Sequence, residues 1–218
     1  MTQSVAVVTG ASRGLGAAVA LALVTRGWHV VAVARTVGGL EDLDDRCKAS
    51  GAQDGALTLA PMDITDEAAM QHLCRALYDR WGRVDLWAHM AIHAAPLSPV
   101  PHLDMKDWDR SYATNTRATA VLIGYVAPLL AGSATGTALF VDDPRGGDRF
   151  FGAYGATKSA QIALARSWQS ESAKIGPRVL IEPVSPMPTA LRARFFPGED
   201  RTALSDPNAE AARLIDLL

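Results

Sequence analysis

Cysteine is scarce. The 218 residues hold two, Cys47 and Cys74, without Cys-x-x-Cys spacing. That excludes a disulfide-dense scaffold and favours free thiols in a reducing compartment, with one remote disulfide as the alternative. An excess of one charge is also lacking: 21 basic and 23 acidic side chains leave a formal net charge of −2. Neither nucleic acid nor an anionic membrane surface is an expected partner. No apolar run is long enough to span a bilayer. Met1-Thr2-Gln3-Ser4 leads straight into an apolar segment and leaves no room for a signal peptide. The expectation is a cytoplasmic protein. Metal-ligand spacing on a helix is missing too: His89, His93 and His102 fall in a loop region, where the four-residue spacing of the first two does not set them on one helix face, and they have no evident third carboxylate ligand, so no metal is expected. Aromatic residues are few, and Trp81, Trp108 and Trp168 fall on helix-patterned faces that pack. Repeats and low-complexity tracts are absent.

What is present is an ordinary globular composition, 49% apolar and 20% charged, sufficient for one domain over 1–218. Apolar runs at 4–9, 29–34, 55–61, 84–90, 136–142 and 178–184 alternate with helical patterns at 15–26, 39–50, 66–81, 106–131, 152–175 and 207–218. The runs are rich in Val, Leu and Ala on both faces, as in strands covered from two sides. Asp66 is placed to cap the third helix, and Gly27 and Gly82 to end the first and third. Right-handed βα connections then give an α/β fold, a doubly wound parallel sheet of about six strands with helices on both faces. The acid-rich 41–45 reads as a solvated helix face.

The first βα unit is the most informative. Val5-Ala6-Val7-Val8-Thr9 empties into Gly10-Ala11-Ser12-Arg13-Gly14-Leu15-Gly16. A strand that turns on glycines into a helix aims unpaired N–H groups and the positive dipole end at one point. A pyrophosphate suits that point, which makes Gly10, Ser12, Arg13, Gly14, Leu15 and Gly16 cofactor-binding candidates. Strand two ends without the acid that would bond an unphosphorylated ribose; Arg35 follows instead. Arg13 and Arg35 together can clamp a 2′-phosphate. NADP(H) is therefore favoured, with NAD(H) as the alternative, and a solvent-facing Arg35 is the plainer reading of that residue. Asp63, after strand three, suits an adenine amine or a helix-approach cap.

Tyr154-Gly155-Ala156-Thr157-Lys158 sets a phenol and an ammonium one turn apart on one helix face. The cation is expected to lower the phenol pKa toward neutrality, making Tyr154 a general acid/base for alcohol–carbonyl exchange.

With these pieces the chain resembles the short-chain dehydrogenase/reductase family over essentially its whole length. Thr9-Gly10-x-x-x-Gly14-x-Gly16, Asp63, Asn115, and Tyr154 with Lys158 carry the resemblance. It implies a Rossmann-type fold and hydride transfer between a nicotinamide and a carbonyl or alcohol carbon of a small-molecule substrate. Tyr154 is then the proton donor, Lys158 holds the nicotinamide ribose, and Asn115 holds a water that relays protons through Lys158. Ile64 and Ala91 fall where the family lines its cofactor, and Thr189 near the carboxamide. A homo-oligomer is also implied, a dimer or a tetramer, using helices 106–131 and 152–175 with Ala118, Ala153, Ala156 and Ala160 facing outward.

The departures are as pointed. His89-Met90-Ala91-Ile92 stands where the family usually has Asn-Asn-Ala-Gly, and Ile92 is expected to crowd the backbone near the cofactor. Asp143 takes the position of the family's catalytic Ser, and 143–154 is shorter than the usual Ser-to-Tyr stretch. Val184-Ser185 replaces Pro-Gly, and no seventh strand is evident before Leu218. An ionised Asp143 only accepts hydrogen bonds and opposes a carbonyl gaining negative charge, whereas a neutral one donates. Alternatively, Asp142 or Asp143 pairs with Arg145 or Arg149 and closes a turn. Two functions follow: an oxidoreductase weakened at Asp143, or a non-catalytic NADP(H)-binding sensor or structural protein. The segment 191–207, with Phe195-Phe196-Pro197-Gly198, reads as a substrate-side loop.

Overall fold

The computed structural model describes residues 3–218; Met1 and Thr2, part of the N-terminal stretch read above, lie outside the described residues. The chain alternates β1 (Val5–Thr9), α1 (Gly14–Thr25), β2 (His29–Ala34), α2 (Val37–Ala49), β3 (Leu57–Pro61), α3 (Glu67–Trp81) and β4 (Leu86–His89). It continues through α4 (Met105–Ser111), α5 (Ala118–Ala131), β5 (Thr137–Asp142), α6 (Gly152–Ser172), β6 (Arg178–Pro183), α7 (Ala190–Phe195) and α8 (Pro207–Ile215). Among the described residues six strands form one parallel sheet in the order β3-β2-β1-β4-β5-β6.

Strand alternation divides the core in two. Ala6, Val8, Val30 and Ala32 face the cluster under α1, α2 and α8, whereas Val7, Val31 and Val33 face the cluster under α3, α5 and α6. Both faces are dry, which is why the strand sequences carry no polar alternation. On the second face Trp87, Phe140 and Trp168 meet ring to ring. Asp66 caps α3 by accepting from Ala69 N, and Gly82 ends the helix at φ 70°. Cys47 and Cys74 are free and buried, so the remote disulfide does not form. No helix among the described residues is long and apolar enough to cross a membrane.

Three expectations are corrected. The helix predicted at 106–131 is not uniform: a π-helical turn, Tyr112–Arg117, joins α4 to α5. Its wider winding turns Asn115 into the core, where the side chain finds three partners. The loop expected at 191–207 contains α7, because Thr189 accepts from Arg192 N and starts a helix, and a short 3₁₀ turn, Arg201–Ala203. Ala118 and Ala153 do not face outward; each is 3% exposed. Ala118, the first residue of α5, is in the core, so of the four only Ala156 is open and Ala160 partly so.

Sheet order reverses between β1 and β4. Connections leaving these neighbours depart in opposite directions and leave a crevice at the strand carboxyl ends, the usual ligand position in a doubly wound sheet.

Candidate active site

That crevice has a volume of about 980 Å³. Every residue expected at the cofactor or at the chemistry lines it except Asn115. Its floor is the glycine turn. Gly10 has φ +75°, and a Cβ there would come within 2.7 Å of Ala91 N; one on Gly16 would overlap the Gly10 carbonyl oxygen. The turn therefore closes only with glycine at both places. Arg13 precedes α1 without a side-chain cap, and the first turn holds no acid. The amide groups at this helix start face the cleft with no competing carboxylate. Arg35 lies 3.8 Å from Asp63 and is 66% exposed. The other Asp63 oxygen accepts from Thr65 N and Oγ1 at 3.0 and 2.9 Å. The helix-approach cap is thus real, and Asp63 still lines the cleft.

The Tyr154 phenol is 3% exposed and donates to Asp143 Oδ2 at 2.9 Å. Asp143 is also paired with Arg145, Nε to Oδ1 at 3.3 Å. The turn-closing pair anticipated from sequence thus forms within the site itself. Asp142 is paired instead with Arg166. The loop reaches this position because two glycines let it lie on α6: a Cβ on Gly155 would overlap the Arg145 carbonyl, and one on Gly146 the Ser159 hydroxyl. Ile92 lines the cleft and packs with Ala94, Phe151, Phe195 and the Tyr154 ring. Tyr154 and Phe195 meet edge-on with centroids 4.9 Å apart.

The expected lowering of the Tyr154 pKa is reversed. Burial first, then the adjacent Asp143 carboxylate and its hydrogen bond, push the phenol far above its usual range. Lys158, 6% exposed, turns its ammonium to Gln161 Oε1 at 2.6 Å. Burial lowers its pKa to about 8, with Asp143 and Asp142 opposing that shift. Asn115 stands behind the wall. Its Oδ1 accepts from His93 N, and its Nδ2 donates to His93 O and Thr157 Oγ1.

Residues not anticipated also reach the cleft. Arg145, so far read only as a turn partner, lines it together with Arg192 and Arg194. Arg192 is held by Glu199, and Arg194 donates to the Ala94 carbonyl at 2.6 Å. The His93 pKa is lowered by burial and then by Arg194. The sequence signal was Arg192 and Arg194 flanking a helical turn, hidden by reading 191–207 as loop.

A crevice at the strand carboxyl ends with a Tyr–Lys pair on its wall belongs to an α/β protein of the doubly wound class. Residues 4–198 match the short chain dehydrogenase family model, and the chain belongs to that family. It is 30% identical over 167 residues to a sorbitol dehydrogenase of Cereibacter sphaeroides, a stretch covering 74% of this chain and 62% of that relative. The match thus spans less than two thirds of that relative's length. Among solved structures, a short chain dehydrogenase from Pseudomonas syringae is 27% identical with TM-score 0.87, covering 98% of this chain and 87% of that one. Another, from Shigella flexneri and complexed with NADP, is 25% identical with TM-score 0.83, covering 95% and 87%.

Proposed function

We propose that this protein is an NADP(H)-dependent oxidoreductase interconverting a small carbonyl compound and its alcohol. The carrying observation is the pair Tyr154 and Lys158, both buried, both reaching the cleft above the Gly10–Gly16 turn. The residues suit the cofactor. The uncapped start of α1 would receive the pyrophosphate, and Gly10 and Gly16 allow its backbone approach. Arg13 and Arg35 would take the 2′-phosphate, with Ile64, Ala91 and Thr189 along the remaining wall. NAD(H), lacking that phosphate, would lose the arginine contacts. The bound nicotinamide supplies the hydride.

Tyr154 supplies the proton. Its raised pKa keeps it protonated through neutral pH, which favours the reducing direction, where a developing alkoxide takes the phenol proton. The phenol must turn from Asp143 to the substrate oxygen to do so. Asp143, with its side chain 31% exposed, touches both the phenol and solvent and can return a proton to Tyr154. Lys158, as a cation, stabilises the phenolate left behind.

A second reading, cofactor binding without turnover, is favoured by the same Tyr154–Asp143 hydrogen bond, which engages the proton that chemistry needs. One experiment separates them: NADPH oxidation against aldehydes, ketones and quinones by wild type, Tyr154→Phe and Asp143→Ser. Under the oxidoreductase reading Tyr154→Phe lowers turnover by about 10²–10⁴, and Asp143→Ser keeps or raises it. Binding without wild-type turnover, with activity gained in Asp143→Ser, assigns the sensor role. A cytoplasmic homodimer completes the proposal.

A further inference from the structure

Behind Lys158 runs a buried polar chain. Lys158 Nζ donates to Gln161 Oε1 at 2.6 Å, and Gln161 Nε2 donates to Thr119 Oγ1 at 3.0 Å. Thr119 Oγ1 donates to Asn115 O at 2.9 Å and also lies 2.9 Å from His89 Nε2. His89 Nδ1 lies 2.8 Å from Thr9 Oγ1, its cross-strand partner between β1 and β4. Thr9, His89, Thr119 and Gln161 are all buried.

Counting protons gives this chain one direction. The Thr119 hydroxyl has a single proton, and the Asn115 carbonyl takes it. Thr119 Oγ1 must then accept from both Gln161 Nε2 and His89 Nε2. This places the imidazole proton on Nε2 and leaves Nδ1 to accept from the Thr9 hydroxyl. The other tautomer would leave Thr119 Oγ1 and Asn115 O 2.9 Å apart with no proton between them. Burial keeps His89 neutral, its pKa lowered to about 3. With its nitrogen committed to Thr119, the Gln161 amide has one orientation, its oxygen toward Lys158.

We propose that Gln161 is a positioning residue for Lys158, oriented by Thr9, His89 and Thr119. The role of Lys158 in turnover rests on the oxidoreductase reading; its placement in the cofactor cleft does not. The titratable groups facing the ammonium are Asp142 and Asp143 from the end of β5 and His89 from β4; Tyr154 lies one turn before it on its own helix.

The test is NADPH affinity, by fluorescence titration from pH 6 to 10, for wild type, Gln161→Leu and Gln161→Glu, with kcat and KM for a carbonyl substrate alongside. Wild-type affinity should weaken with a midpoint near the Lys158 pKa of about 8. Gln161→Leu removes the ammonium's acceptor and should move the midpoint down by about one pH unit. Gln161→Glu adds a carboxylate and should move it up. At pH 8 Gln161→Leu should lose about fivefold in kcat with KM for the carbonyl little changed, since only the charged fraction of Lys158 is affected. Loss of packing alone cannot displace a midpoint in opposite directions. A wild-type profile without the midpoint, or variants that leave it unmoved or shift it the same way, overturn the proposal. If Gln161→Leu does not fold, Gln161→Glu decides alone: upward supports, unmoved or downward overturns. NADPH binding without carbonyl turnover defeats only the oxidoreductase reading, because the binding midpoints still judge Gln161.

Discussion

Asp143 governs the chemistry at the residue scale. A serine there would donate to the substrate oxygen, whereas this carboxylate accepts from Tyr154 and leans on Arg145. The Asp143→Ser exchange described above is therefore expected to bring the Tyr154 pKa down as well as to preserve turnover, because the Asp143 charge and its carboxylate hydrogen bond, two of the causes raising it, disappear. The arginines allow a separate prediction. Arg35→Ala should weaken NADP(H) binding by about 1.5–3 kcal/mol, the scale of a charge-assisted hydrogen bond, and leave NAD(H) binding almost unchanged. Fluorescence titration with both cofactors checks it; equal affinity of the wild type for the two would refute the 2′-phosphate assignment. Much of this scale was legible. Tyr154 and Lys158 are one turn apart, and the glycine turn is continuous in sequence. The direction of the Tyr154 pKa was not legible, because it depends on burial and on a carboxylate eleven positions upstream in the chain. Gln161, three positions after Lys158, belongs to no sequence motif, and its bond to the ammonium exists only in the fold.

Among the elements, the short connection from β5 to α6 sets the site. It lies on the helix through Gly146 and Gly155, where side chains would collide with Ser159 and Arg145. The shortening relative to family pattern was readable, but its consequence was not: length alone does not say which residue ends beside the phenol. Gly155→Ala should lift this loop and separate Asp143 from Tyr154. Equilibrium urea unfolding should register a loss of about 1–3 kcal/mol, as overpacking costs, and turnover should change in the same variant. An unchanged urea midpoint would show that the loop yields freely. Strands, by contrast, were read almost to the residue, since burial on both faces writes itself into continuous apolar runs. The π-helical turn and α7 were missed because periodicity in a short window does not register one extra residue or a six-residue helix.

For the molecule as a whole, Lys158 couples the site to stability. Its folded pKa is about 8 against an ordinary 10.5, so the fold penalises the charged form. Between those values the unfolded chain binds more protons than the folded one, and stability therefore rises with pH across that window. Below pH 8 the penalty is complete; above 10.5 it is gone. The span corresponds to about 3 kcal/mol as an upper figure. Lys158→Met has no such titration, and every other group is common to both proteins. Unfolding free energies of the pair, measured from pH 7 to 10, should thus converge on a growing advantage for the wild type as pH rises. A difference that stays flat, or that moves toward the variant, would mean that the Lys158 ammonium is solvated or compensated in the fold, and the site would lose its pH-dependent cation.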